Sequence, residues 1–279
     1  MKKNKGKRIE RWTPLGIFGL ICAVFVTVVA VFPFISMFLM SFTESRTLRL
    51  NLSEVDFTNF ENFIYIFQNS GFLQAFVNSG VVVVASCVLN VIISCMAAYG
   101  FEKKLFPGRN FIFQIYMVSL MIPGQVTMIP LFVIMRNLGL LNTRTALVIT
   151  MIGAFSVFLV KQFMNGVPDE LIESAQVDGC PEYRIFIQIV MPLLKPVIVT
   201  LVVFTFISAW NDFLWPLIAA TETEKYTLTV ALSVLKTQYS VNYGLIMAGS
   251  LITFIFPFIL YIFLQKQFVQ GIALGGVKG

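Results

Sequence analysis

From Trp12 to Thr43 the chain carries no charged residue. The hydrocarbon core of a bilayer is crossed by about 20 helical residues, so this run alone commits the chain to a membrane. The rest agrees. Apolar residues make up 57% of the 279 and charged residues 12%, against roughly 45–50% and 25% in soluble domains. Six of the twenty positive residues precede the run, at Lys2, Lys3, Lys5, Lys7, Arg8 and Arg11. The run is too long for a signal-peptide h-region and no A-x-A-like exit site is seen. It reads as an uncleaved first span with a cytoplasmic amino terminus.

Charges divide the remainder into further apolar segments. The expected fold is an all-α integral membrane protein with six transmembrane helices near 14–40, 75–99, 111–134, 145–163, 197–220 and 242–264. A basic amino terminus, 1–12, precedes one transmembrane domain, 13–265, and a cytoplasmic tail, 266–279, follows it. The fourth span is short, because its uncharged run from Thr145 to Val160 needs Lys161 to snorkel at its end. Six spans put both termini on one side. The segments then placed in the cytoplasm hold 14 of the 20 positives, as the positive-inside rule requires. In the outer loop 41–74, Phe57, Phe60, Phe63, Ile64 and Phe67 recur at helical steps. Two readings stand: a helix on the membrane surface, or an ordinary packing helix. Flexible sequence is expected only in the first dozen residues and the Gly-rich tail.

Several chemistries are excluded. The chain has no histidine, which removes histidine bases, triads and the commonest metal ligand. It has no G-x-x-x-x-G-K-[ST] phosphate loop. Of the four cysteines, Cys22, Cys87 and Cys95 lie in apolar runs, Cys180 lies in a polar loop, and no C-x-x-C occurs. They read as small buried hydrophobes. The net charge of +6 is explained by membrane orientation, so no nucleic-acid partner is expected. No enzymatic role, no metal and no cofactor of its own are expected.

The loop 164–195 differs from the spans. Val167-Pro168-Asp169-Glu170 starts a helix, with proline near its first position and acids in its first turn. Asp178-Gly179 ends it, with glycine suited to a left-handed backbone. Cys180-Pro181-Glu182 starts a second helix, in which Tyr183, Phe186, Ile187 and Val190 form an apolar stripe. Ser174 and Ala175 are small enough for a partner to approach closely. Glu173, Asp178 and Glu182 offer it charge, and Glu173 and Asp178 are expected to anchor the loop through charge-assisted bonds or local caps.

The spacing Glu173-Ser174-Ala175, three residues, Gly179, nine residues, Ile189, one residue, Met191-Pro192 resembles the E-A-A-x3-G-x9-I-x-L-P loop of importer-type ABC transporter permeases. It departs at Ser174 and Met191. Trp210-Asn211-Asp212-Phe213, the pair Met121-Ile122-Pro123 and Met128-Ile129-Pro130, and the carboxyl end from Gly271 look like carbohydrate-uptake permeases, specifically the smaller six-span subunit of maltose-type importers. The resemblance runs from about residue 14 to the end. It implies a type I importer fold and a complex with a second homologous permease, two ATPase subunits and an extracellular sugar-binding protein in the bacterial cytoplasmic membrane. ATP and Mg would be bound by the ATPases. The helix carrying Glu173, Ser174, Ala175, Asp178, Gly179 and Cys180 would be the coupling helix seated on one ATPase. Gly275, Gly276 and Lys278 would reach toward the ATPases, and the outer loop 221–241 would touch the binding protein.

Asp212 is the only acid placed within a span. An intramembrane carboxylate is costly and functional by default, but a helix-end position bonded to Trp210, Asn211 or a backbone group explains it equally well. Trp210, Asn211, Asp212 and Tyr243 are candidates for the translocation path. Tyr116 and Trp215 are further aromatics that can hold a sugar or anchor a span end. Gly244 and Ala248, four apart, can form a tight packing face. Two rival readings remain at this stage: a proton-coupled secondary transporter, and an ABC permease for a non-sugar solute.

Overall fold

The computed structural model describes residues 13–69, 71–239 and 242–276, and the described residues are helical with no strand. The helices are α1 (Pro14–Met40), α2 (Glu61–Asn69), α3 (Phe72–Lys103), α4 (Arg109–Ser119), α5 (Gly124–Asn137), α6 (Arg144–Ile149), α7 (Ala154–Met164), α8 (Asp169–Val177), α9 (Glu182–Leu193), α10 (Lys195–Asn211), α11 (Leu214–Ala219), α12 (Leu228–Gln238) and α13 (Tyr243–Gly276). The basic amino terminus and Lys278 lie outside the described residues.

Three helices, α1, α3 and α13, are long and apolar enough to cross a bilayer, and two bent pairs pass the same test together. The first expected span coincides with α1, where the Thr13 hydroxyl accepts the Gly16 N–H at 3.1 Å and Pro14 follows the cap. The third is not one rod. α4 and α5 meet at 105°, where Pro123, lacking an N–H, caps α5. The fourth is divided too. Gly153 is extended (φ −119°, ψ 163°) between α6 and α7, and the Thr150 hydroxyl bonds back to the Ala146 and Leu147 carbonyls. The fifth breaks at Asp212 (φ −65°, ψ 127°). The sixth continues past 264, so the expected flexible tail begins as helix through Gly275 and Gly276.

The chain forms two compact units. One takes residues through Phe63 and the start of α13 through Leu251; the other takes Ile64–Gln238 and α13 from Ile252. In the first, Asn62 is buried and donates to the carbonyls of Ser41 (3.0 Å) and Thr43 (2.8 Å). Gly244 lies so close to the Thr43 carbonyl that a Cβ would stand 1.8 Å from its oxygen, and Ala248 is buried. The expected Gly244–Ala248 packing face is therefore present. Phe57, Phe60 and Phe63 gather around the Phe42 ring at 5.5, 5.7 and 5.3 Å, while Phe57, Phe60, Ile64 and Phe67 stay exposed, so the segment combines packing with an outward apolar face. Phe57 and Phe60 precede α2.

In the second unit α3 is the central element, packed against α6, α7, α10 and α12. A polar knot lies inside. The buried Asn90 amide donates to Ser156 Oγ of α7 (2.9 Å) and Thr205 Oγ1 of α10 (2.8 Å), and its oxygen accepts from Ser94 (3.0 Å). Interhelical bonds of this kind contribute about 0.6 kcal/mol each in a membrane, and they fix the rotation of three helices at once.

Candidate functional site

Pro168 caps α8 with an extended backbone (φ −62°, ψ 132°), next to the first helical position as the sequence pattern implies. Asp169 and Glu170 fill the first turn, where the helix dipole favours acids. At the other end Gly179 takes φ +75°. Its N–H bonds the Gln176 carbonyl at 3.0 Å and the Cys180 N–H bonds the Ala175 carbonyl at 2.9 Å. This is the paired closure that left-handed glycine permits after a helix.

The loop is seated on its own chain. Ile172 and Ala175 of α8, with Val167, join Tyr99 of α3, Val160 and Met164 of α7, and Ile185 and Val190 of α9 in one buried cluster. Ala175 therefore faces inward and Ser174 outward. Cys180 is half-buried against the same cluster. The stripe expected on α9 is corrected: Tyr183 and Ile187 are exposed (64% and 59%), while Ile185 and Val190 are fully buried. The cause is a π turn from Ile185 to Val190. Its i→i+5 bonding brings residues five apart onto one face.

Of the two roles expected of Glu173 and Asp178, the local cap is found at Asp178, whose N–H bonds the Ser174 carbonyl at 3.0 Å, while the charge-assisted anchors lie elsewhere. Among the described residues Glu173 and Asp178 make no ion pair, and the acids that tie the loop down are Asp169 and Glu182. The Lys103 ammonium, 4% exposed, donates to the Val167 carbonyl and to Asp169 Oδ1, both at 2.6 Å. Lys104 pairs with Glu182 at 2.5 Å, and the Tyr99 hydroxyl donates to the same carboxylate. Those two donors, Lys104 first, hold the Glu182 carboxyl below the usual range, with a further bond from Gln176. The preceding residue, Glu102, takes Lys161 (2.6 Å) and Asn165 (2.8 Å) from the end of α7. The last turn of α3 thus grips both flanks of α8. The sequence reading missed these residues. The only signal was the cluster Glu102-Lys103-Lys104 closing an apolar run, opposite a loop rich in acids.

Beyond its first turn, where Asp169 and Glu170 are also exposed, α8 with its cap leaves Leu171, Glu173, Ser174, Gln176, Val177 and Asp178 outward. Val177 is 88% exposed and Leu171 42%. The face mixes two apolar side chains with the Glu173 and Asp178 carboxylates, which form no ion pair among the described residues, and its backbone is fixed at both ends.

The four path candidates divide. Trp210 is buried (2% exposed) between Phe206 and Phe256, 4.7 Å from the latter, and its indole N–H donates to the Thr253 carbonyl (3.1 Å). Its faces and its donor are used within the chain, as are those of Trp215, whose N–H donates to the Ala146 carbonyl. Asn211 is exposed and donates back to the Ile207 carbonyl (2.9 Å). The Asp212 carboxylate accepts the backbone N–H groups of Trp215 and Phe213, which is the helix-end role with a backbone partner. Tyr243 begins α13 in the other unit, half-buried. Tyr116 is half-buried beside Phe101.

The segment after α11 is likewise fixed. Asn142, itself at φ +60°, accepts the Thr221 and Glu222 N–H groups at 2.6 and 3.2 Å. Asn78 donates to the Glu224 and Tyr226 carbonyls.

A family model described as binding-protein-dependent transport system inner membrane component matches residues 90–273, which contain α8, its seat and the 221–228 segment. The arabinooligosaccharides transport system permease protein AraQ of Halalkalibacterium halodurans is 38% identical over 91% of this chain and 94% of its own. The lactose transport system permease protein LacG of Rhizobium radiobacter is 34% identical over 89% and 91%. Among solved structures, a bacterial ABC transporter involved in the import of the acidic polysaccharide alginate superposes with TM-score 0.78 at 25% identity, covering 92% of this chain and 98% of that one.

Proposed function

Because the chain belongs to the family of binding-protein-dependent transport system inner membrane components, we propose that it is the multi-pass permease subunit of an ATP-driven sugar importer, with oligosaccharides as the first class to test. The oligosaccharide and lactose names of its relatives support the cargo. The proposed assembly has a second homologous permease, two ATPase subunits that bind ATP and Mg, and an extracellular sugar-binding protein. The proposed spans are α1, α3, α4 with α5, α6 with α7, α10 with α11, and α13, with both termini and α8 in the cytoplasm of a bacterial cell. The proposed tail contacts, Gly275, Gly276 and Lys278, lie at the end of α13 or beyond the described residues.

One observation carries the reading: the outward face of α8. Leu171, Glu173, Ser174 and Val177 stand on a helix whose ends are closed by Pro168 and Gly179 and whose inner face is packed on α3, α7 and α9. A partner that grips this face moves a rigid lever. We read that partner as an ATPase subunit, whose closure rocks the spans between inward and outward access. Asp212 sits at a helix break beside the backbone of Phe213 and Trp215, a helix-end position that accounts for an acid there without proton coupling. The test is uptake by proteoliposomes holding the purified complex, ATP inside, and labelled arabino-oligosaccharide or lactose with its binding protein outside. Uptake that needs ATP and the binding protein supports the reading. Uptake driven by a proton gradient without ATP refutes it.

A further inference from the structure

α3 holds a loop at each end. At one end Lys103 and Lys104 grip the flanks of α8. At the other, Asn78 is completely buried and all its hydrogen-bonding positions are used. Its amide donates to the Glu224 (2.8 Å) and Tyr226 (2.9 Å) carbonyls, and its oxygen accepts from Arg144 Nε (3.1 Å) and Nη2 (2.7 Å). The next residue, Ser79, is buried and accepts the Leu228 N–H at 2.8 Å. An amide with two donors and two lone pairs all engaged has no second orientation that keeps its bonds. The 221–228 segment therefore cannot shift without pulling on α3 or breaking them.

Between Asn78 and Lys103 the helix is continuous and contains no proline. At 1.5 Å per residue those 25 steps cover about 38 Å, more than the roughly 30 Å of a bilayer core. Midway, Asn90 ties it to α7 and α10. We infer that α3 is a strut joining the two partner-facing loops, with Asn78 and Lys103 as its positioning residues: displacement of the 221–228 segment by the sugar-loaded binding protein reaches the seat of α8 along α3 and stimulates ATP hydrolysis by the docked subunit. The inference rests on the permease reading above. It adds a route between outer and inner partners other than the α9–α10 connection.

The assay is the ATPase rate of the whole complex in nanodiscs, with and without saturating sugar-loaded binding protein. Asn78→Asp removes both donors to the outer loop while keeping a partner for Arg144. Lys103→Met removes the inner grip. Each should cut the stimulation ratio about fivefold or more, the lower range of an allosteric coupling, and the double variant should be no worse than the stronger single. Undiminished stimulation in Asn78→Asp, multiplying effects in the double, or an Asn78→Asp complex that no longer binds the binding protein would each overturn the strut. Should Asn78→Asp fail to assemble, Ser79→Ala takes its place, with a smaller loss expected and full stimulation counting against the proposal. A wild-type complex without an ATPase, or without any stimulation, instead sinks the permease reading itself.

Discussion

The Lys103 ammonium bonds Asp169 across 66 positions of sequence, at 2.6 Å, and the two ends of that pair are unlike: the Lys103 side chain is 4% exposed and that of Asp169 70%. Exposed partners of ion pairs contribute at most about 1 kcal/mol, whereas leaving a buried carbonyl unpaired costs about 1–3 kcal/mol. Lys103 also serves the Val167 carbonyl. Lys103→Met should therefore lower the thermal midpoint of the purified complex clearly, and Asp169→Asn hardly at all. Thermal unfolding followed by tryptophan fluorescence checks the asymmetry, and equal losses would show that the carbonyl bond is unimportant.

At Gly179 the constraint is conformational. A Cβ there meets nothing within 4 Å, but φ is +75°. A β-carbon in the left-handed region costs about 1–2 kcal/mol, more for a branched residue and little for asparagine. Gly179→Val should uncouple transport, giving less sugar imported per ATP hydrolysed with membrane insertion intact, while Gly179→Asn keeps most of the coupling. Normal import by the valine variant would discard the turn argument.

Gly244 is constrained by space instead. Overpacking of this kind costs about 1–3 kcal/mol, and the atom in the way is backbone, the Thr43 carbonyl oxygen. Gly244→Ala should reduce the yield of folded chain in detergent, whereas Gly80→Ala, with nothing within 4 Å, should not. Monodispersity by size-exclusion chromatography reads both.

Asp212 separates transport mechanisms. Its carboxylate accepts two backbone N–H groups at the α10–α11 break. Asparagine keeps an acceptor and loses the charge, so Asp212→Asn should import sugar at close to the normal rate and Asp212→Ala more slowly. Abolished transport in Asp212→Asn would mean that the charge itself is needed.

How much of this was legible depends on range. α1 is legible at 14–40 because charges bound its uncharged run on both sides. α8 and its Gly179 closure are legible from Pro168 and Asp178-Gly179, which are equally local signals. Pro123 is a residue able to break a helix and the 105° bend falls there, but the breaks at Gly153 and Asp212 are not legible, because an apolar run records burial in lipid and not the direction of the axis. The face of α9 was missed because a π turn changes the period. Asp178 caps α8, one of the two roles expected of it, but the ion pairs of the loop were not legible, since nothing near Asp169 or Glu182 in sequence announces Lys103 and Lys104.

The central claim is that the outward face of α8 grips an ATPase. With the four native cysteines replaced, Ser174→Cys should cross-link to an ATPase subunit through a short bis-maleimide in native membranes, whereas Tyr183→Cys on exposed α9 serves as the comparison. A product at the summed mass of permease and ATPase, strongest at Ser174, is the predicted result. No ATPase adduct at Ser174 or at Glu173→Cys, in membranes where the complex still hydrolyses ATP, would contradict the account.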